Sequence, residues 1–563
     1  MKRVLALLLS ACLLVGCSPK EQPAEKIPVD TMSAETVPLV KGEPQDIPYA
    51  SRFDSVTEIL LSDEGISVDG AGETETVYTS HDIIYYAEKD EYESGFPYGE
   101  GEKWECHSES EAAEHTVVNI TAPGAYRVSG KLSQGQIRID LGEDAYEDEN
   151  AVVELILSDA HITCSVAPSV LFMNVYECDG DWSTDTAKAE VDTTKAGANL
   201  ILEGENTVIG SHVAKIFQDK EGEKKLWKQD GAIYSYMSMN VFGPGKLDLT
   251  ADNEGLDTEL HLTINGGDIA IRSDNDGINT NEDGVSVTTI NGGKVHIIAG
   301  LGAEGDGIDS NGYLVINGGT VVSAANPGAD AGMDSDLGSY IHGGTVIALG
   351  STMDWAESDS EQVTMNLQFA QQQSSDAAVV VTRTDGTVVF AYDPSADEVL
   401  EENGRVYSGA VISCPNLHVG EVYNVYVDGQ VSGSDEGGIY DVTTVTAFSG
   451  GIQMGYTGTD VRMRPGGFGG GQMPGNMEPP EGIEPGIMEM GDRPEPPEGF
   501  EAGQMEVREP PEDFQPGEMP EGMEPPQAME FPGGMEMNSE AGEPSEEFYM
   551  QDKVNFFSGL TVA

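Results

Sequence analysis

The feature that most constrains the fold of this chain is an internal repeat near its middle. The sequence Ile-Asn-Gly-Gly begins at Ile264, Ile290 and Ile316, and Ile-His-Gly-Gly begins at Ile341, so the spacings are 26, 26 and 25 residues. Repeats of this length are typical of stacked supersecondary units. Because each unit holds short alternating strands and glycine turns but no amphipathic helix, the repeat predicts an all-β, right-handed parallel β-helix, a solenoid with one coil per repeat.

The Asn-Gly-Gly elements are interpreted as the turns that start each new strand. Asn and Gly are common turn residues, and stacked Asn amides share hydrogen bonds from coil to coil. We assign these elements no ligand role.

A second motif recurs between the Gly-Gly pairs and brings acids to one edge of the stack. It reads Glu-Gly-Leu-Asp-Thr at Glu254, Asp-Gly-Ile-Asn-Thr at Asp276, Asp-Gly-Ile-Asp-Ser at Asp306 and Ala-Gly-Met-Asp-Ser at Ala331. The alternation of side chains along a strand turns Ile308 into the coil and Asp309 outward. Its counterparts are expected to point outward in the same way: Asp257, Asn279 and Asp334.

Stacked carboxylates about 4.8 Å apart repel one another, by roughly 3 kcal/mol at an effective dielectric of 20. Residues 247–350 hold sixteen acids and two bases, so the chain itself does not neutralise the column. Calcium, which takes six to eight oxygen ligands, is the predicted cofactor, whereas zinc would need Cys or His. The predicted ligands are Glu254, Asp257, Asp274, Asp276, Asp306, Asp309, Asp334 and Asp336. The alternative is that Asp and Asn stand here only because they tolerate tight turns beside Gly.

The amino-terminal residues predict export and a lipid anchor. Lys2 and Arg3 precede a short apolar run that ends in Leu-Val-Gly-Cys, which is the pattern of a lipoprotein signal peptide with Cys17 as the lipidated residue. The expected location is the extracellular face of the cell membrane. A net charge of −71 excludes nucleic acid as a partner. Among the remaining cysteines, a bridge between Cys164 and Cys178 is the first choice, with free thiols as the alternative.

Composition and motifs divide the chain into seven predicted segments. The middle segment is the β-helix, and the acidic Pro/Glu/Gly/Met-rich segment is too poor in apolar residues to fold. The segments are a signal peptide at 1–17, a flexible linker at 18–50, an irregular amino-terminal cap at 51–115, a parallel β-helix carbohydrate-binding domain at 116–375, a small antiparallel β module at 376–459, a disordered segment at 460–547 and a carboxy-terminal strand at 548–563.

These motifs resemble those of a known family. Asp-Gly-Ala-Ile-Tyr-Ser at Asp230, the repeated Ile-Asn-Gly-Gly and the Asp-Gly-Ile motifs look like the clostridial carbohydrate-binding domain-containing parallel β-helix lipoproteins. The resemblance implies a pectate-lyase-like fold, calcium in the Asp turns, most directly at Asp276, Asp306 and Asp309, and binding of cellulose- or pectin-like polysaccharide. Asn279 and Ala331 depart from the motif, so not every turn need be a full calcium site.

Three functions remain open. A non-catalytic, calcium-dependent polysaccharide binder would use aromatic faces such as Trp355, Tyr313 and Tyr340. A polysaccharide lyase needs a base beside calcium, and Arg272 and Lys294 are the candidates in the repeat block. The third function is a structural cell-surface adhesin whose ligand is another protein.

Overall fold

A computed structural model describes residues 38–42, 46–87, 105–180, 184, 187–214, 228–351, 354–397, 399, 404–459 and 544–563. The predictions for the signal peptide, for Cys17, for most of the linker and for the Pro/Glu/Gly/Met-rich segment up to residue 543 fall outside these residues. No helix in the described ranges is long and apolar enough to cross a membrane.

Three long parallel sheets form the body of the protein. Sheet I consists of seven parallel strands with one antiparallel strand, β3, at its start. Its strands are β3 (Val77–Ser80), β4 (Thr116–Ile120), β6 (Gly135–Asp140), β8 (Val170–Asn174), β11 (Gly231–Ser235), β14 (Glu254–Thr258), β17 (Ile278–Thr280) and β20 (Ile308–Ser310).

Sheet II is the longest, and all of its neighbouring strands pair in parallel. Its strands are β1 (Val56–Ser62), β5 (Gly124–Leu132), β7 (Val153–Thr163), β9 (Ala198–Glu203), β12 (Met239–Phe242), β15 (Leu262–Ile264), β18 (Val287–Ile290), β21 (Tyr313–Ile316) and β23 (Gly338–Ile341). A short strand, β2 (Gly65–Val68), forms a hairpin with β1.

Sheet III begins where the end of β7 pairs with β10, and it too is parallel. Its strands are β10 (Glu205–Gly210), β13 (Lys246–Ala251), β16 (Asp268–Ser273), β19 (Lys294–Ile298), β22 (Thr320–Ala324) and β24 (Thr345–Gly350). The first three of the regular repeats each give one strand to each sheet in the order I, II, III, as in β14, β15 and β16. The result is a mostly-β protein whose long parallel sheets are consistent with a β-helix.

One apolar core fills the space between the three sheets. Leu256, Ile278 and Ile308 stack in register from sheet I, and each is fully buried. The isoleucines that open the Ile-Asn-Gly-Gly motifs and alternate residues of sheet III join the same cluster. The inward orientation predicted for Ile308 is therefore confirmed.

The chain after sheet III forms mixed, largely antiparallel pairings. Strand β28 pairs antiparallel with β24 and joins this region to sheet III, while the last strand, β36, runs parallel to β25. A second core lies between these strands and the outer face of sheet III. The strands are β25 (Thr364–Gln373), β26 (Val379–Arg383), β27 (Val388–Tyr392), β28 (Tyr407–Ser413), β29 (Val422–Val427), β30 (Gln430–Ser432), β31 (Asp435–Glu436), β32 (Ile439–Tyr440), β33 (Ala447–Ser449), β34 (Ile452–Gly455), β35 (Phe548–Tyr549) and β36 (Val554–Val562).

Two features differ from the sequence-based expectations. The stretch 51–115, expected to be an irregular cap, supplies β1 to sheet II, β3 to sheet I and the four-residue helix α1 (Glu109–Ala112). Alternating burial of Ile59 and Leu61 explains why β1 joins the core. Cys164 and Cys178 form no disulfide in the described structure, and burial raises the pKa of the Cys164 thiol to about 12.

Candidate metal centre

The predicted acids meet on sheet I in two neighbouring columns. Asp257, Asn279 and Asp309 are in direct register across β14, β17 and β20. Glu254, Asp276 and Asp306 stand in the matching positions of a second column, just before the strands' core residues. The stacked column predicted from the repeat is therefore present in the register of the strands.

The acids are far less exposed than an outward-facing column should be. Asp257 is fully buried, Glu254 is 4% exposed and Asp276 is 8% exposed. Alternation predicted that Asp257 points outward from the core, but alternation fixes only the face of a strand and not what covers that face. Asn281 covers Asp257, for example, and its Nδ2 donates to Asp257 Oδ1 at 2.7 Å.

Three carboxylates converge most closely. Asp230, Glu254 and Asp257 are all buried and offer oxygen atoms that lie within 4.8 Å of one another. Asn279 Nδ2 donates to Glu254 Oε1 at 3.1 Å. In the described part of the chain, Glu254 Oε2, Asp257 Oδ2 and Asn279 Oδ1 are buried and have no hydrogen-bond partner. Such atoms are costly to bury unless something binds them.

The pKa values of the aspartates in the two columns also favour a bound cation. Burial, followed by repulsion from Glu254, raises the pKa values of Asp257 and Asp276 well above the usual range for aspartate. Burial, with repulsion from Asp334 among the other causes, also raises the pKa of Asp306 to about 8 and that of Asp309 to about 7. The protein alone therefore disfavours a fully charged cluster at neutral pH, and a bound cation would restore the charged forms.

The remaining predicted ligands differ in position. Asp334 is half-buried and Asp336 is exposed, and both repel the Asp309 carboxylate. Asp274 is exposed, and the charged groups that act on its pKa are Asp252, which raises it, and Arg405, which lowers it, rather than the other predicted ligands; burial is the largest cause of its raised pKa. The structure thus groups seven of the eight predicted acids and leaves Asp274 apart.

Sequence reasoning missed Asp230 and Lys228. Asp230 opens an Asp-Gly motif like the others, but Ala232 adds one residue before the core isoleucine, so the spacing does not match. Lys228 lies upstream of the regular repeats, and its Nζ is 2.5 Å from Asp230 Oδ2. The two bases of the repeat block are engaged elsewhere: Arg272 pairs with Asp248 at 2.8 Å, and Lys294 pairs with Glu436.

The donor set fits a hard cation. All three converging residues are carboxylates. The amide oxygen of Asn279, whose Nδ2 bonds to Glu254, is also buried and has no hydrogen-bond partner among the described residues. Oxygen-only sites select magnesium, calcium or manganese over zinc and copper. A buried acidic triad of this kind could bind a metal ion.

Comparison with known proteins shows to which family the chain is similar. Residues 114–407, just over half of the chain, match the family described as carbohydrate-binding domain-containing protein. A protein of that description from Acetivibrio thermocellus is 28% identical over 157 residues, which cover 28% of this chain and 45% of the relative. The chain therefore spans less than half of that relative's length.

A solved structure of a polysaccharide lyase-like protein from C. thermocellum, a gadolinium derivative, is 18% identical and has a TM-score of 0.30. The alignment covers 52% of this chain and 93% of that one. On the extent of the family match, this chain belongs to the family of carbohydrate-binding domain-containing proteins.

Proposed function

We propose that the protein is a non-catalytic, calcium-dependent binder of a cell-wall-type polysaccharide, pectin- or cellulose-like, held at the bacterial surface by a lipid on Cys17. In this proposal the three parallel sheets form a right-handed β-helix, and calcium ties successive coils together. Family membership supports the carbohydrate ligand. The observation that supports the ion is that Glu254, Asp257 and Asn279 each bury an oxygen atom with no hydrogen-bond partner among the residues that the structure describes.

Calcium suits these residues better than other cations. It accepts irregular coordination by carboxylate, amide and water oxygens, whereas magnesium demands near-ideal octahedral geometry and keeps its waters. Asp230 lies just before β11, Glu254 and Asp257 lie on β14, and Asn279 lies on β17, so one ion would bridge three neighbouring coils. Because these side chains are buried, calcium would act on glycan binding through the fold rather than by touching the sugar.

The first experiment measures thermal unfolding with calcium and with chelator. An ion that binds only the folded state at 100 times its Kd stabilises it by about 2.7 kcal/mol, so chelation should lower the Tm. Asp257→Asn should lose most of this calcium response. In chelator, the same variant should be no less stable than the parent, because the substitution removes a carboxyl group whose charged form is disfavoured by burial and by repulsion from Glu254.

The matched control is Asp274→Asn, which removes an acid of the same repeat that lies apart from the converging carboxylates. This variant should keep the full calcium response. A parent protein whose Tm is the same in calcium and in chelator would exclude calcium as a structural ligand.

The second experiment tests the ligand by retention on immobilised pectate and on cellulose. Retention on either polymer without release of product supports a non-catalytic binder, whereas retention on neither favours the adhesin. Steady release of unsaturated oligosaccharides, lost on Lys228→Ala, would show a lyase, because Lys228 pairs with Asp230 at the edge of the acidic cluster. Arg272→Ala and Lys294→Ala serve as controls in that assay because both cations are engaged in ion pairs elsewhere.

A further inference from the structure

A groove of about 830 Å³ runs over the outer face of sheet II, on a different sheet from the acidic cluster. Its floor is one register column that passes from β12 through β15, β18 and β21 to β23. Five strands span four inter-strand spacings, or about 19 Å at about 4.8 Å each. The column consists of Asn240, Thr263, Thr289, Val315 and Tyr340.

A ladder of amides borders this floor. Asn291 Nδ2 donates to Asn265 Oδ1 at 2.9 Å, and Asn317 Nδ2 donates to Asn291 Oδ1 at 2.8 Å. Each amide has two N–H groups and two acceptor lone pairs, so Asn291 uses only half of its capacity within the ladder. Exposure rises along the ladder from Asn265, which is buried, to Asn317, which is exposed. The ladder therefore presents regularly spaced, rigid donors and acceptors to whatever lies in the groove.

The two ends of the groove differ. At the buried end, Thr193 Oγ1 lies 2.8 Å from Asn240 Oδ1 and 2.7 Å from Thr263 Oγ1. These hydrogen bonds hold Thr193 against the floor of the groove. At the open end, the rings of Tyr340 and His342 stack with centroids 6.1 Å apart and an interplanar angle of 26°. The Glu361 N–H donates to His342 Nδ1 at 3.3 Å, which leaves Nε2 of the neutral ring as a donor. Flat rings beside hydrogen-bonding groups are the chemistry that recognises sugars.

The charges along the groove select against an acidic ligand. Among the described residues, its lining contains three acids, Glu190, Asp192 and Asp359, and one lysine, Lys188. A uronate chain would bring further negative charge to a surface that already carries an excess of it.

We propose that this groove binds a neutral polysaccharide chain, whose hydroxyl groups bond to the amide ladder and whose ring faces stack on Tyr340. The assignment rests on the proposed polysaccharide-binding function and names its site and its ligand class. It also gives the Asn-Gly-Gly asparagines a ligand role in addition to their place in the turns.

The test is calorimetric titration of the full chain with a soluble β-1,4-linked glucan oligosaccharide and, separately, with an oligogalacturonate. Thr289→Trp should fill the floor and abolish binding of the neutral oligosaccharide. Tyr340→Ala should weaken its binding about tenfold, within the range for one aromatic contact. Tyr340→Phe keeps the ring and should bind within about twofold of the parent. The matched control is Tyr146→Ala, which removes an exposed tyrosine outside the groove and should change nothing.

The possible results distinguish a wrong binding site from a wrong proposed function. Calcium-free protein at a temperature where it stays folded should bind the neutral oligosaccharide as well as the calcium form does. A parent that binds it while Thr289→Trp and Tyr340→Ala bind equally well would overturn the groove and leave the proposed function standing. Tighter binding of oligogalacturonate, lost in the same variants, would overturn the neutral class. A parent that binds neither glycan would contradict the proposed function itself.

Discussion

His212 joins two acids from distant parts of the chain. Its Nδ1 lies 2.9 Å from Asp252 Oδ1, just after β13, and its Nε2 lies 3.3 Å from Glu105 Oε1, near the start of α1. Burial of the ring lowers the pKa of His212, but the hydrogen bonds to Asp252 and then Glu105 outweigh it and raise the pKa to about 9. A cationic His212 therefore fastens the segment before β4 to the edge of sheet III.

The raised pKa of His212 predicts a pH dependence of stability. A folded pKa above the unfolded value of 6.5 contributes stability that is complete below pH 6.5 and lost as the pH rises through about 9. The contribution is roughly 1–3 kcal/mol, because Asp252 is half exposed and its attraction is partly screened. Urea unfolding of the parent and of Asp252→Asn at pH 6 and pH 9.5 measures it.

Asp252→Asn should be less stable than the parent at pH 6 and nearly equal to it at pH 9.5. Asp54→Asn changes an exposed acid elsewhere and is the control for the loss of one negative charge. An equal deficit of Asp252→Asn at both pH values would assign the effect to the Ser211 hydroxyl, which also bonds to Asp252, and not to the charge on His212.

At the scale of the strands, the glycines of the acidic motif have a role that turn chemistry does not cover. Gly277 does not have a positive φ, so its backbone is open to any residue. A Cβ on Gly277 would overlap Ile297 Cγ2 and lie 2.6 Å from the Gly307 carbonyl oxygen. Only a residue without a side chain lets sheet I and sheet III approach this closely.

Gly277→Ala should destabilise the protein by about 1–3 kcal/mol, because an added methyl group overpacks a dense core. Gly72→Ala is the matched control, since its Cβ would meet open space and its φ is unrestricted. It should stay within about 0.5 kcal/mol of the parent. Chemical denaturation of both variants in calcium measures the difference, and equal stabilities would contradict the close-approach argument.

The repeat made the positions of the regular strands predictable. The acidic site was harder to predict, because it depends on side-chain packing between strands. The period of 25 or 26 residues places a strand after each Gly-Gly pair of the repeat, and β16, β19, β22 and β24 begin there. The second glycine of each motif has a φ between 79° and 106°, as a turn requires. The alternation of side chains along each strand also predicted which face of the strand packs in the core. Alternation could not show that Asn281 covers Asp257, because it does not describe what packs on the outer face of a strand. It also could not show that Asp230 joins Asp257, because Ala232 breaks the regular spacing of the motif.

At the scale of the whole molecule, the outer face of sheet III shows why the later strands were predicted from the sequence but their packing was not. Val322, Ile347 and Leu349 point away from the central core yet are buried in a second one, beneath strands that arrive much later in the chain. The carboxy-terminal strand β36 pairs with β25 across nearly 200 residues of sequence. A repeat reports only on contacts between neighbouring units, so such long-range pairings leave no periodic signal.

The excess of negative charge over the whole chain sharpens the prediction for Cys17. With 99 acidic and 28 basic residues, the protein gains no electrostatic attraction to an anionic membrane surface. Retention on the membrane would then depend on the acyl chains alone, and two chains suffice for a stable anchor.

Cys17→Ser should therefore release the protein into the medium or block its processing, as fractionation of cells and immunoblotting would show. Cys12→Ser changes the other leader cysteine and should leave the protein on the membrane. A Cys17→Ser protein that still fractionates with lipid would contradict the lipoprotein assignment.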